Sequence, residues 1–179
     1  MIVSQTGFNG LLVLEPKVHG DSRGYFMESY NKQTFLDAGI DINWVQDNQS
    51  RSSKGVLRGL HYQREPHAQA KLVRVLVGTI LDAVVDLRRS EPTFGKPYFI
   101  ELSADNKKQL LVPKGFAHGF LVLSESADVF YKCDALYHPG SDGGIHYTSI
   151  EDWGSPLNNI IISEKDSKLP HLREAKFDF

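Results

Sequence analysis

The sequence contains a single cysteine, Cys133, among its 179 residues. One cysteine excludes a disulfide within the chain and any zinc site built from cysteines. Long apolar runs are also missing, since no stretch approaches the roughly 20 residues that cross a bilayer. The N-terminus has no basic region followed by an apolar core, so it does not resemble a signal peptide. We therefore expect a soluble protein of the cytoplasm.

The sequence also lacks an excess of charge of either sign. Lys and Arg together number 20 and Asp and Glu together number 22, which gives a formal net charge of −2 at pH 7. Nucleic acids and anionic membranes bind to basic surfaces, so neither is expected as a partner. There is no glycine-rich phosphate loop or dinucleotide fingerprint. A bound diphosphate would therefore have to be held by side chains.

Short apolar stretches separated by Gly, Pro, Asn and Asp make up most of the chain. Many short strands with turns at roughly 8–12-residue spacing are typical of a β-sandwich or jelly-roll barrel. We predict one all-β domain spanning 1–179, loop-like from residue 155 onward, with a short helix near Asp166. The predicted strands are 10–17, 25–30, 72–77, 80–87, 99–102, 109–112, 119–123 and 128–133, with a turn or loop at 19–24 and a helix at 31–38.

An arginine lies three residues before a histidine in Arg58-Gly-Leu-His61. This pair is either a surface Arg beside a packed core His, or a site that binds an anion and moves a proton. A catalytic base needs a partner that orients it and raises its basicity. Asp82, Asp86 and Asp166 are candidates for that partner, and the sequence does not choose among them.

Two further side chains have both a structural and a catalytic interpretation. Tyr131 shares one strand face with Val129 and Cys133, so it is either a packed ring or a phenol that acts as an acid inside a cavity. Lys71 begins an apolar strand, where a lysine is most often a solvated edge residue. If it faces the barrel interior, its ammonium group requires a compensating anion.

The segment Pro113-Lys-Gly-Phe-Ala-His118-Gly resembles the second motif of the cupins, in which this His is a metal ligand. The first cupin motif requires two His separated by one residue, whereas this chain has His61-Tyr-Gln63 in that place. Gln63 is a poor ligand for a transition metal. We therefore expect no metal in the site.

Over about residues 11–170 the chain resembles the dTDP-4-dehydrorhamnose 3,5-epimerase family. Each motif alone would be weak, and their common order makes the resemblance specific. The motifs are Asp21-Ser-Arg-Gly-Tyr-Phe-Met-Glu28, Gln46-Asp-Asn48, Gly55-Val-Leu-Arg-Gly-Leu-His-Tyr-Gln63, Gln69-Ala-Lys71, Gly115-Phe-Ala-His-Gly-Phe120, Tyr131-Lys-Cys133 and Ser163-Glu-Lys-Asp166.

The resemblance implies a cupin-type jelly roll (a double-stranded β-helix) with a few short peripheral helices, assembled as a homodimer without metal or cofactor. It implies the epimerisation of dTDP-4-dehydro-6-deoxy-D-glucose at carbons 3 and 5. The catalytic residues would be His61 as the base, Asp166 as its partner, Tyr131 as the acid and Lys71 beside the carbonyl oxygen at carbon 4. The residues lining the substrate site would be Arg23, Glu28, Gln46, Asp47, Asn48, Arg58, Lys71, His118, Lys165, Tyr137 (stacked on thymine) and Asp142 (where the family often has Glu).

Three other functions are kept as alternatives. An epimerase that acts at carbon 3 only would share most of the site, and the presence of Tyr131 favours double epimerisation. A sugar-binding module would bind dTDP without exchanging solvent protons into the sugar. A metal-dependent cupin oxygenase would contain bound iron or zinc.

Overall fold

The structure is a computed structural model that describes residues 1–154, 157 and 159–179. Within these residues the chain forms mostly short strands, together with two short α-helices and two single 3₁₀ turns. The strands are β1 (Ile2–Gln5), β2 (Leu12–Glu15), β3 (Val18–Asp21), β4 (Gly24–Met27), β5 (Gln46–Ser53), β6 (Leu57–Gln63), β7 (Lys71–Val77), β8 (Thr79–Asp86), β9 (Pro97–Ser103), β10 (Gln109–Val112), β11 (Phe116–Val122), β12 (Ser126–Cys133) and β13 (Asp142–Gly144); the α-helices are α1 (Lys32–Asp37) and α2 (Glu164–Ser167).

Two antiparallel sheets form the body of the protein. The larger has the strand order β1-β2-β10-β7-β12-β5, and the smaller has the order β13-β6-β11-β8-β9. Strands β3 and β4 pair only with each other among the described residues and form a separate hairpin. This arrangement is the all-β jelly roll that the sequence predicted, with the two short α-helices at its periphery.

Apolar side chains fill the space between the sheets and cover both outer faces. Between the sheets, Val73 and Val129 of the larger sheet pack with Val84 and Phe120 of the smaller. The outer face of the larger sheet packs against α1 through Phe35. The outer face of the smaller sheet is covered by the C-terminal segment, which brings aromatic residues such as those at 177 and 179 onto it. The C-terminal segment is therefore held to the barrel by apolar burial, and α2 lies within that segment.

The inward-facing positions change from apolar to polar towards one end of the barrel. On β7 the side chains of Val75 and Val73 are buried in the core, and the period-two alternation of a strand brings Lys71 to the same face. On β12 the same alternation brings Tyr131 beside Val129, as predicted. The polar end of the barrel is therefore where the chemically active groups collect.

Most predicted elements are confirmed, including strands β7 to β12 and helix α1. Asn31 caps α1 by accepting a hydrogen bond from the backbone N–H of Thr34, and Gly39 follows the helix with a φ of +78°. The short helix predicted near Asp166 is α2. Residues 155, 156 and 158 of the predicted C-terminal loop lie outside the described residues.

The prediction of a turn or loop at 19–24 was correct for the turn at residues 22 and 23 but missed the strands on either side of it. Strand β3 runs to Asp21, and only a two-residue turn separates it from β4, which ends at Met27 rather than continuing to residue 30. Every residue of β3 is exposed, so the strand has no alternation of apolar and polar residues to reveal it. The N-terminal strand β1 is mostly exposed as well, and the edge strand β5 consists only of polar residues, so neither was predicted.

No helix in the described part of the chain combines the length and the apolar composition needed to cross a membrane.

Candidate active site

Two adjoining cavities form a cleft at the polar end of the barrel. Their volumes are about 270 Å³ and about 390 Å³. His61, Lys71 and Tyr131 line both cavities, so the two spaces are continuous along these three side chains. The first cavity is also lined by Ser50, Arg58, His118, Gly119, Phe120, Ser163, Lys165 and Asp166, and the second by Gln46, Asn48, Tyr62, Gln63, Gln69, Tyr137 and Asp142.

A hydrogen bond joins His61 on β6 to Asp166 on α2, with Nε2 and Oδ1 2.8 Å apart. The second carboxylate oxygen of Asp166 accepts the backbone N–H of Gly59 at 3.1 Å, and the hydroxyl of Ser163 caps α2 at the Asp166 N–H. Burial raises the pKa of Asp166, but the hydrogen bond and charge of His61, together with the bonds from Gly59 and Ser163, outweigh it and lower the pKa below its ordinary value. Asp166 is therefore an ionised acceptor at neutral pH.

Gly59 allows β6 to approach β11 closely beside this pair. Its φ is +108°, and a Cβ atom there would lie 2.7 Å from both the Cα of Gly119 and the carbonyl oxygen of His118. A side chain at residue 59 would therefore push β6 away from β11 and move the N–H that Asp166 accepts. The glycine is a structural requirement of the His61–Asp166 geometry.

The three aspartates that the sequence left open have different partners. Asp166 contacts His61, whereas Asp82 accepts from His118 with Nε2 and Oδ1 2.8 Å apart in the interior. Asp86 is bound instead by Arg88, whose Nη2 lies 2.7 Å from Oδ2. Asp82 is fully buried, and its second oxygen has no partner within hydrogen-bonding distance among the described residues. The floor of the cleft therefore holds a second histidine–carboxylate pair.

Lys71 and Tyr131 face the cleft from the adjacent strands β7 and β12, with the Lys71 Nζ 5.8 Å from the centre of the Tyr131 ring. Burial lowers the pKa of Lys71, and the charges of Cys133, Asp82 and Asp142 oppose that shift. Burial is also the main reason that the pKa of Tyr131 is raised. Tyr131 is therefore a neutral phenol with a proton to donate, and Lys71 presents its amino group to the cleft at a position where burial disfavours the charged form.

Arg58 and Lys165 place positive charge around the first cavity. Arg58 is fixed by its Nε, which donates to the hydroxyl of Ser52 at 2.8 Å. Lys165 forms an ion pair with Asp142. The hydrogen bond within this pair raises the pKa of Lys165 above its ordinary value. Arg58 and Lys165 thus offer N–H donors of the kind that bind a diphosphate, although the net charge of the chain is negative.

Most of the predicted site residues line the cleft, and three do not. Asp47 points outward and pairs with Lys132 at 3.0 Å. Arg23 lies in the turn of the β3–β4 hairpin with its side chain 87% exposed and paired with Asp21. Glu28 follows the same hairpin and accepts a hydrogen bond from Asn31 at 2.8 Å. Neither hairpin residue reaches the cleft of its own chain, so their predicted contact with substrate stays a prediction.

Several side chains of the cleft were not predicted from the sequence. Ser50, Ser163, Gln63 and Gln69 line it, and Ser52 lies behind Arg58. Ser163 could have been found as the residue before a short helix, because Ser is a preferred N-cap. Gln63 and Gln69 lie within two of the motifs but were assigned no role in the site. Ser50 and Ser52 lie in β5, a polar strand that gives no local signal. Across the described ranges, no group of three or more His, Cys, Asp or Glu side chains could hold a metal ion; the expected absence of a metal stays a prediction.

Comparisons with known proteins match this chain over nearly its whole length. A profile of the family described as dTDP-4-dehydrorhamnose 3,5-epimerase matches residues 5–174. A protein of that name from Shigella flexneri is 51% identical over 170 residues, which cover 93% of each chain. The crystal structure of an enzyme of that name from Elizabethkingia anophelis has a TM-score of 0.91 at 49% identity and covers 97% of each chain.

A second crystal structure, of an epimerase from Legionella pneumophila, contains dTDP-4-keto-L-rhamnose. It has a TM-score of 0.90 at 46% identity and covers 97% of this chain and 93% of its own. The relatives are therefore similar in sequence and in fold along the whole cleft-bearing barrel.

The ionised Asp166 predicts a pH-dependent contribution to stability. A lowered pKa in the folded state stabilises the fold above the ordinary pKa of 3.8, and this contribution is lost as the pH falls below it. We expect Asp166→Asn to lower the free energy of unfolding by about 1.5–3 kcal/mol at pH 7. The difference should shrink in urea titrations at pH 3. The exposed Asp105→Asn is the control, and a difference independent of pH would contradict the assignment.

Proposed function

Because the chain belongs to the dTDP-4-dehydrorhamnose 3,5-epimerase family, we propose that the cleft carries out its reaction through His61, Asp166, Lys71 and Tyr131. The protein is an isomerase of dTDP-L-rhamnose biosynthesis. It inverts carbons 3 and 5 of dTDP-4-dehydro-6-deoxy-D-glucose and releases dTDP-4-dehydro-L-rhamnose. The observation that carries the residue assignment is the His61–Asp166 hydrogen bond in the wall of the cleft.

In the proposed mechanism His61 is the general base. An ionised Asp166 accepts the proton of Nε2, so it favours the tautomer in which Nδ1 is unprotonated and basic. Nδ1 takes the hydrogen from carbon 3 or carbon 5, each of which flanks the ketone at carbon 4. The electron pair of the broken C–H bond moves to the oxygen at carbon 4 and gives an enolate. A positioned base of this kind contributes roughly 10²–10⁴-fold to the rate.

Lys71 and Tyr131 complete the inversion. The ammonium group of Lys71 stabilises the negative charge on the enolate oxygen, and removing such a donor typically lowers the rate by roughly 10²–10³-fold. Tyr131 donates its phenolic proton to the carbon from the opposite face of the ring, which inverts the centre. The tyrosinate then regains a proton from solvent and His61 releases the one it took, so the cycle consumes nothing. These steps involve no change of oxidation state, so the proposed mechanism requires no redox cofactor.

The rest of the cleft binds the nucleotide part of the substrate in this proposal. Arg58, Lys165 and His118 surround the first cavity and would hold the diphosphate and sugar. Gln46, Asn48 and Asp142 line the second cavity together with Tyr137, whose exposed ring is suited to stacking on thymine. Contacts at this remote end position the reacting end of the ligand. Asp47 lies beside this group on β5 and is kept as a weaker candidate.

We further propose that the protein works as a homodimer in the cytoplasm, with one domain spanning 1–179. A dimer accounts for the predicted substrate contacts of Arg23 and Glu28. Neither residue reaches the cleft of its own chain, but the hairpin of a second copy would bring both to it. Tyr25 and Phe26 on this hairpin are 58% and 67% exposed, and such aromatic residues suit an interface. Cys133 is a buried free thiol, which fits a reducing compartment.

His61→Ala tests the proposed base. We expect kcat/KM to fall by roughly 10²–10⁴-fold and deuterium exchange from D₂O into the sugar to stop. The Kd of dTDP, measured by calorimetry, should change by less than about twofold, because the nucleotide is held elsewhere. His146→Ala, outside the cleft, is the matched control. Exchange at the wild-type rate in His61→Ala would remove this residue from the mechanism.

Tyr131→Phe tests the acid and separates the double epimerase from the carbon-3 alternative. The variant keeps the ring and loses only the phenolic proton, so proton abstraction by His61 should continue. Because Tyr131 protonates both centres in this mechanism, we expect inversion at carbons 3 and 5 to be impaired while NMR in D₂O still shows deuterium entering with the starting configuration retained. Loss of inversion at carbon 5 alone would show that carbon 3 has a different acid, and inversion of both centres at the wild-type rate would remove Tyr131 from the mechanism.

Co-expression of His61→Ala with Arg23→Ala tests whether the hairpin acts in the partner's cleft. Each variant alone should be strongly impaired. In mixed dimers one cleft has an intact His61 and receives an intact hairpin from the other subunit. With random pairing, half of the dimers are mixed, so about one quarter of wild-type activity should return.

The control for this complementation is co-expression of His61→Ala with Lys71→Ala. Both substitutions lie in the same cleft, so every cleft of a mixed dimer lacks one group and no activity should return. If the Arg23→Ala mixture also fails to recover activity, Arg23 does not act across the dimer.

A further inference from the structure

The buried amide of Gln63 fastens the loop at 135–138, which carries Tyr137. Its Nε2 donates to the carbonyl oxygens of His67 at 2.6 Å and Leu136 at 3.2 Å, and its Oε1 accepts the backbone N–H of His138 at 2.7 Å. Both N–H donors of the amide are thus committed to backbone carbonyls. The residue is only 4% exposed, at the end of β6 two residues after His61. Gln63 therefore acts on the loop and has no N–H left for a ligand.

Two other glutamines bind backbone groups of the same loop. Gln69 Nε2 donates to the carbonyl oxygen of Ala135 at 2.7 Å, and Gln46 Oε1 accepts the backbone N–H of Tyr137 at 2.9 Å. Glutamine side chains thus contact the backbone of four consecutive residues, 135–138. The loop has no helix or strand to order it, so these bonds fix its path.

A stacked pair of imidazoles ties the same two chain segments together. The rings of His67 and His138 are 3.9 Å apart at their centres and 11° from parallel. Gln63 bonds the backbone of these two residues. The segment at His67 and the loop at 135–138 are therefore connected both by the hydrogen bonds of Gln63 and by the contact between the two rings.

The side chain of Tyr137 itself has little to hold it. It is 53% exposed, and its hydroxyl lies 3.5 Å from Asp142 Oδ2, at the limit of a hydrogen bond. The position of the ring is therefore set by its backbone. An exposed aromatic ring that is already ordered can bind a flat ligand without the loss of entropy that a mobile loop would suffer.

We propose that Gln63 is a positioning residue for substrate recognition: it fixes loop 135–138 so that Tyr137 is in place before the base of a pyrimidine nucleoside diphosphate sugar arrives. This rests on the proposed role of Tyr137 in stacking on the base. Gln69 and Gln46 support the same loop at its neighbouring residues. Gln63 affects binding through Tyr137 and leaves the chemistry at His61 unchanged.

A double-mutant cycle between Gln63→Ala and Tyr137→Ala tests this, with dTDP as the probe in calorimetry. Stacking of a base on an aromatic ring is worth about tenfold or more in affinity. We expect Gln63→Ala to raise the Kd of dTDP and the KM of the sugar nucleotide by about tenfold, while kcat changes by less than about threefold. In the Tyr137→Ala background, Gln63→Ala should add less than about twofold, because the group it positions is gone.

Gln63→Met distinguishes the effect of the lost hydrogen bonds from that of lost packing. It also replaces Gln63→Ala in the test if the alanine variant does not fold. Methionine keeps the length of the side chain and removes its three hydrogen bonds, so the loss of dTDP affinity should persist. Full affinity in Gln63→Met would overturn the proposal.

Ser124→Ala is the matched control, because the Ser124 hydroxyl also binds only backbone groups. It accepts from the Thr79 N–H at 2.8 Å and donates to the Ser126 carbonyl at 2.7 Å. Ser124 lies near the end of β7 that is opposite to Lys71. The dTDP affinity of this variant should be unchanged.

The outcomes distinguish this inference from the function on which it rests. If Tyr137→Ala leaves the Kd of dTDP unchanged, the stacking role of Tyr137 is wrong and the inference fails with it. If Tyr137→Ala weakens binding but Gln63→Ala does not, Tyr137 keeps its role and Gln63 loses the one proposed here. The same conclusion follows if the two losses multiply fully in the double variant.

Discussion

The hydrogen bond between His61 and Asp166 links the two parts of the molecule on which the site depends. His61 belongs to the barrel, and Asp166 belongs to the C-terminal segment, 105 residues later in the chain. That segment is held by its apolar packing on the outer face of the smaller sheet. The close approach at Gly59 then gives the carboxylate a second donor. Apolar burial on the outside of the barrel thus positions the carboxylate to which His61 is hydrogen-bonded on the inside.

The cleft brings groups of opposite charge close together. Burial disfavours the charged form of Lys71, and Asp82 and Asp142 offset this. Asp82 is itself hydrogen-bonded to His118, which holds this carboxylate at the floor of the cleft. A substrate that carries a diphosphate and develops an enolate adds negative charge where Arg58, Lys165 and Lys71 already lie. Such preorganised charge needs no rearrangement during the reaction, and for that reason it is effective.

The sequence predicted the parts of the fold that bury apolar residues and missed the parts that do not. Strands β7 to β12 bury apolar side chains, which mark them in the sequence, whereas β3 is exposed throughout and β5 consists only of polar residues. The motifs identified most of the residues of the cleft. The sequence could not choose among Asp82, Asp86 and Asp166 as the partner of His61, because tertiary structure decides which carboxylate it meets. Gln63 was considered only as a poor metal ligand, yet in the structure its amide binds the loop beside the cleft.

Proton NMR of the wild-type protein with dTDP-4-dehydro-6-deoxy-D-glucose in D₂O tests the account most directly. If one base and one acid serve both centres through an enolate at carbon 4, deuterium should enter at carbon 3 and at carbon 5. A downstream reductase should then trap the L-sugar. Deuterium at carbon 3 alone would contradict the double inversion, and no exchange at either carbon would contradict the enolate mechanism itself.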